Sequence, residues 1–470
     1  MANPTRPARV AALIAMSIAT LTTVAVAQVG QRSPSEKRIV NDDETGIALT
    51  VLTDGRSSDS KLYQTHPNWT SDKQWIVFRS SGRAPGSQAY AVNESSGDIV
   101  QLTEGAGNGT GSLNVAQKSM KLYFLRDKNA AAKGLPATRP EGSATTSPAM
   151  SPATTRTAAP TDPNAAYQMI ETDLARLFAD SAAGQLKPAA QYERVCGELP
   201  RGMRDSGGFG LDADEGFAYI GVRGGDAGTH LPPGTKITET EPGQRMGAGP
   251  AGLRSMNLRT GEVKVIIDTP FLMGHVQTNP FVPGEILYCH ETGGDGAQRM
   301  YTTRADGTGN RPLFVEQPLD WVTHEAVVTK DEVMFNLIGH QKRLRVRPTG
   351  IAIINLRTDA VEIVGQLNEQ GSEDKNDLGV NAAGRDSYGG FWHCNGSADG
   401  RWAVGDTFLG NLWLINRADG RRTLLTVDHK MKPDHLHPTF HPDGSRVLVQ
   451  SGKWTNGERL QIVVVPIPTK

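Results

Sequence analysis

The pattern with the most chemical content is His435-Leu436-His437. In a strand, residues i and i+2 project to the same face, so both imidazoles point one way. Two imidazoles on one face make half of a metal site. Four more histidines stand in short runs elsewhere: Thr65-His66-Pro67, Gly274-His275-Val276, Thr323-His324-Glu325 and Trp392-His393-Cys394. A single histidine is usually a surface residue or a satisfied core donor. Their recurrence at similar places points to one shared centre. His393 reads as a supporting or structural residue, and His290 and His441 as structural ones.

Other chemistries find no support. Gly105–Gly111 is glycine-rich but is not followed by Lys-Ser/Thr, so it is not a phosphate-cradling loop. No Gly-x-Ser-x-Gly elbow precedes a helix. Cys196, Cys289 and Cys394 are odd in number and lie in no zinc-type spacing, so they read as buried, reduced residues.

Histidines so far apart need a scaffold that returns distant segments to one axis. Seven stretches share one grammar: a polar turn, often Asp-Gly, and then short β-branched strands separated by turns. Trp75–Phe78 with Ala89–Val92 and Ile99–Leu102 is the first. Later ones open near Lys118, Ala213, Ile286, Val333, Asp399 and Asp443. Repeats of short antiparallel strands at this spacing are propeller blades. The expectation is an all-β, seven-bladed β-propeller of four-stranded blades. The innermost strand of each blade lines the channel, which would aim the histidines at the axis.

Composition agrees. In 470 residues, 52 glycines and 28 prolines make a turn-rich chain and argue against helical bundles. Lys plus Arg total 49 against 50 Asp plus Glu, so no basic surplus supports a nucleic-acid partner.

Residues 1–27 read as a signal peptide. Arg6 and Arg9 precede the uncharged Ala11–Ala27, which ends Ala25-Val26-Ala27. No later run is apolar enough to span a bilayer, so the mature chain is expected to be soluble and periplasmic or secreted. Residues 28–45 read as an N-terminal tail and 46–470 as the propeller. Within it, 128–163 is nearly all Ala, Thr, Pro, Ser and Gly, and reads as a disordered insertion in the second blade. Tyr167–Ala179 fits strand or helix, with strand preferred for its first half.

The chain resembles the oligogalacturonate lyases, seven-bladed propeller enzymes. The matching runs include Leu62–Thr70, Gln101–Gly105, Gly274-His275, Leu287–Glu291, Gln298–Met300 and Thr323–Glu325. They continue with Asp399-Gly400, Val404–Asp406, His435–Pro438 and Pro442–Gly444. The resemblance fails in the insertion and is weak through Glu198–Met246. It implies a β-elimination lyase with a divalent ion, commonly manganese, on His324, His435 and His437. It also implies His275 as catalytic base. The family's fourth ligand, a glutamine, falls on Lys432. A protonated lysine cannot ligate a cation. Lys432 could instead bind a substrate carboxylate, ligate when deprotonated, or signal a differently held or absent metal. The family's carboxylate-binding arginine falls in the weak region, on Arg245 or Arg254.

The residue types suit that chemistry. Cleaving a 4-linked uronate by elimination removes the C5 proton, which is α to a carboxylate. Positive charge on the carboxylate stabilises the enolate-like transition state, and a neutral imidazole suits proton removal. The reading is an exported lyase acting on a small acidic oligosaccharide. Two others stay open: a non-catalytic periplasmic propeller, and a lyase on a different uronate. Family members are generally cytoplasmic, and that contrast together with Lys432 sustains the last.

Overall fold

The computed structural model describes residues 28–130, 162–242, 244–339, 344, 349–364 and 391–468. The expected signal peptide, and residues 131–161 of the expected insertion, lie outside the described residues. Among the described residues no helix is long and apolar enough to cross a membrane.

Seven antiparallel sheets follow one another along the chain. Five have four strands and two have five, where four apiece were expected. Asp-Gly turns work as the sequence suggested. Gly400 takes φ 71°, a left-handed conformation that glycine adopts without Cβ strain. In the second blade Lys121–Asp127 pairs with Tyr167–Asp173, so the low-complexity segment is inserted between its middle strands. Lys128 N donates to Ala166 O at the neck of that insertion. The ambiguous stretch divides where Asp173 caps the helix Leu174–Ala182, with its side chain accepting from Arg176 N.

Alternation within the strands leaves each blade with two apolar faces, which neighbours must cover. An apolar cluster fills each of the seven interfaces. Val77, Ala91 and Val100 of blade one pack on Leu122, Phe124 and Ile170 of blade two. Ile76 and Phe78 of blade one also meet Leu448, Ile462 and Val464 of blade seven, which closes the ring.

The closure corrects the reading of 28–45 as a tail. Arg32–Ser33 pairs with the outer strand of blade one. Arg38–Asn41 and Ala48–Val51 become the outer strands of blade seven, beside Gln461–Pro466. The sequence of this segment is polar and short, so it carries no strand periodicity of its own. Asp42 locks the closure. Its buried carboxylate accepts from Thr426 Oγ1 at 2.6 Å and Lys453 Nζ at 3.1 Å. Burial opposes the charge, but these donors hold its pKa well below the usual carboxylate range. Asp42→Ala should therefore lower stability by about 2–4 kcal/mol, read as a drop in the denaturant midpoint. A depressed acid stabilises above its unfolded pKa, so the difference from wild type should shrink on acidification below the ordinary Asp range.

Two devices position side chains at the axis. The first is a β-bulge in the innermost strands. Register breaks between first and second strands occur at Asp205/Phe209, Gly274/Gln277 and Thr323/Ala326. They enclose Gly207, His275 and His324, with φ of 86°, 47° and 58°. His437 has φ 49° just before the short inner strand of blade seven. Left-handed backbone at a non-glycine residue costs on the order of 1–3 kcal/mol, and it clusters where function fixes a side chain.

The second device is a plug. The innermost strand of blade one leaves its ladder after Lys61, loops out through Leu62–Pro67 toward the other blades, and rejoins at Asn68, whose carbonyl accepts from Val77 N. Along it, Tyr63 contacts His275 of blade four. The Gln64 carbonyl accepts from Asn395 of blade six, and its side chain meets His437 of blade seven. His66 binds Phe209 O of blade three at 2.9 Å. Gln64 Nε2 also donates to His324 O of blade five at 3.5 Å, and Leu62 joins the apolar cluster shared by blades one and two.

Candidate functional site

Four imidazoles gather beside the plug. The His393 ring centroid is 4.1 Å from that of His324, 3.9 Å from His437 and 5.2 Å from His435. His435 also stacks on Trp392 at 5.5 Å. All four are buried. Burial is the largest cause holding each pKa below the ordinary histidine value, to about 4 for His435. Burial thus favours the neutral imidazole, the form that offers a lone pair.

Their outer partners are those of metal-supporting shells. The Nδ1 of His393 faces Asp406 Oδ2 at 3.1 Å, and the Nδ1 of His324 faces the Trp392 carbonyl. Such partners fix the tautomer and leave Nε2 free for a cation. His437 lies 3.0 Å from Gln64 Oε1 and 3.2 Å from Asp434 Oδ1. The Nδ1 of His435 is buried without a hydrogen-bond partner among the described residues. An orphaned imidazole nitrogen among neutral imidazoles and carboxylates fits a divalent cation. One donor atom from each of His393, Asp406 and His435 fits within 4.8 Å of the others. His324, His393, His435 and His437 are the residues that could hold the ion.

Next to this cluster is a charged group around His275. Its Nε2 lies 3.2 Å from Glu291 Oε2, and its Nδ1 3.4 Å from Glu325 Oε1. Arg299 closes the group, with Nε 3.1 Å from Glu325 Oε2 and Nη2 3.4 Å from His275 Nδ1. Burial alone would lower the His275 pKa. The charge of Glu325 and the hydrogen bond that His275 donates to Glu291 outweigh it and lift it to about 9. Glu325, despite burial, is held down to about 2, chiefly by Arg299. Chain geometry couples the two groups. His324 faces the imidazole cluster and Glu325, the next residue, faces His275.

Of the residues singled out in the sequence, the structure gathers His324, His435 and His437 around His393, and sets His275 against Tyr63, which also contacts His437. His393, read as supporting or structural, is the ring with the shortest distances to the other three. His66 instead belongs to the plug. The cationic candidates separate. Arg254 lies two strands out from the axis, with its guanidinium engaged by Asp268 at 2.8 Å and Asp226 at 2.9 Å. Arg245 donates from Nε to Gly293 O at 3.0 Å, and Gly293 N donates to the Glu291 carboxylate beside His275. Lys432 is exposed, and Asp434, two residues on, is the member of that loop facing His437. A glutamine does reach the imidazoles, but it is Gln64 from the plug.

Sequence reasoning assigned no role to Glu291, Arg299, Glu325, Asp406, Tyr63 or Gln64. The signal lay in adjacency: Glu325 follows His324, and Tyr63 and Gln64 precede His66.

No protein-family model matches this sequence, and no curated protein matches it. Its fold is that of the oligogalacturonate lyase propellers. An oligogalacturonate lyase in complex with manganese superposes with a TM-score of 0.66 at 18% identity, over 94% of this chain and 99% of that one. An oligogalacturonate lyase from Vibrio parahaemolyticus gives 0.65 at 17% identity, over 94% and 99%.

Proposed function

We propose that this protein is a lyase that cleaves short oligogalacturonates by β-elimination, with His275 as base. The observation that carries the reading is the His324-Glu325 pair, which joins a cluster suited to a divalent metal to a histidine held by two carboxylates. His275 takes the C5 proton. Glu291 and Glu325 orient its imidazole and stabilise the imidazolium that forms. Arg245, and Lys432 at the surface, draw in the acidic substrate. A divalent ion such as manganese, held by His324, His393, His435 and His437, would supply Lewis-acid stabilisation of charge on the substrate carboxylate. The leader-like composition of the first 27 residues supports a reaction in the periplasm or outside the cell.

The test uses protein stripped with chelator and reloaded with manganese, incubated with digalacturonate. The conjugated unsaturated product is followed by ultraviolet absorbance. A metal-dependent rise supports the reading. Metal binding without a rise on galacturonates, but with one on another uronate, moves the substrate. Neither binding nor turnover leaves a non-catalytic propeller.

The pH profile is a second test. The groups facing His275 are Glu291, Glu325, Arg299 and Tyr63. A base must be unprotonated, so kcat/KM should rise with pH and level off above about 9. Glu291→Gln removes a charge that favours the imidazolium, and should move that limb to lower pH.

A further inference from the structure

Elimination needs a proton donor as well as a base. When the C5–H electrons form the C4=C5 bond, the C4–O bond breaks and the departing oxygen must be protonated. Neither group described above is built to donate it. The four imidazoles are the groups that would hold the ion, and Glu291 and Glu325 are paired with His275 and Arg299. His275 is occupied as base, and Arg299 does not give up its proton.

Tyr63 stands between them. Its ring centroid lies 5.1 Å from that of His275 and 5.1 Å from that of His437. Its hydroxyl is buried and has no hydrogen-bond partner among the described residues. A buried hydroxyl normally finds a partner, and leaving one unpaired costs about 1–3 kcal/mol. An orphaned hydroxyl between a base and a metal-type cluster is therefore placed for something that arrives with the substrate. The plug holds it there, because Gln64 and His66 on either side are tied to blades three, six and seven.

We propose that Tyr63 is the proton donor to the departing C4 oxygen. The inference rests on the lyase reading above. The steps balance. His275 removes the C5 proton, the C4–O bond breaks, and the phenol proton passes to the leaving oxygen. The phenolate then recovers a proton from the neighbouring imidazolium, directly or through solvent. Nothing is oxidised or reduced, and both residues return to their starting states.

The experiment compares wild type with Tyr63→Phe, which keeps the ring and removes only the oxygen. Two manganese-loaded reactions are measured: digalacturonate, and a uronate carrying fluoride at C4, whose departure needs little protonation. General-acid assistance contributes about 10²–10⁴-fold, so kcat on digalacturonate should fall at least about a hundredfold with KM little changed. On the fluoride the loss should be within about threefold, because no proton is needed there. Equal losses on both substrates would overturn the donor role and leave Tyr63 a positioning residue. Wild type that is inert on every uronate would instead overturn the lyase reading, and the donor role with it. If Tyr63→Phe unfolds early by circular dichroism, the solvent deuterium isotope effect on wild-type kcat decides. A larger effect on digalacturonate than on the fluoride is expected, and equal effects would sink the proposal.

Discussion

Replacing His393 by alanine is expected to abolish tight binding of a divalent metal and, with it, turnover. His393 is the ring nearest to both His324 and His437, at 4.1 Å and 3.9 Å, and Asp406 fixes its tautomer. A residue that only supports a ligand changes metal affinity by about 10–100-fold when removed. A ligand should cost more. Metal titration of His393→Ala should therefore show a loss beyond about a hundredfold, while Asp406→Asn should fall inside the supporting range. A His393→Ala loss of tenfold or less would return it to the supporting role that the sequence suggested. The alanine leaves a buried gap, so the comparison needs circular dichroism to show that the fold survives.

His275→Ala should separate the two halves of the site. The expected result is a fall in kcat of about 10²–10⁴-fold, with bound manganese unchanged. The reasoning is spatial. Tyr63 stands between His275 and His437, and the partners of His275 are Glu291, Glu325 and Arg299. If the variant lost metal and activity together, His275 would belong to the metal cluster. If activity persisted, the base would have to be sought elsewhere.

The propeller was legible because its signals are local. Asp-Gly turns and β-branched runs recur along the chain, and each run is a strand with nearest-neighbour partners. The contribution of residues 32–51 to blades one and seven was not legible. Those strands are set by what they complete, beside Ile99–Gln101 and Gln461–Pro466, rather than by their own periodicity. Within the site, His435 and His437 were legible because a two-residue period aligns side chains. The bulges were hidden, because left-handed backbone is signalled by glycine or asparagine, and here it falls on His275 and His324. Glu325 was missed for the same reason. Regular alternation would send it to the face opposite His324, and the register break beside them determines where each points.

The plug has a consequence for how the protein comes into being. Gln64 and His437 meet although they are 373 positions apart in the chain, and Tyr63 meets a histidine from blade four as well as one from blade seven. Contacts this distant in sequence form late, after the loops that separate them have closed. An emerging chain can fold its early blades around an axis that holds Tyr63 and Gln64 but lacks most of their partners. The imidazole cluster is then completed only when the last blade docks and the first strands clasp it. On the proposed lyase reading, activity belongs to the finished ring, and a chain halted before His435 should be inert however well its early blades have folded.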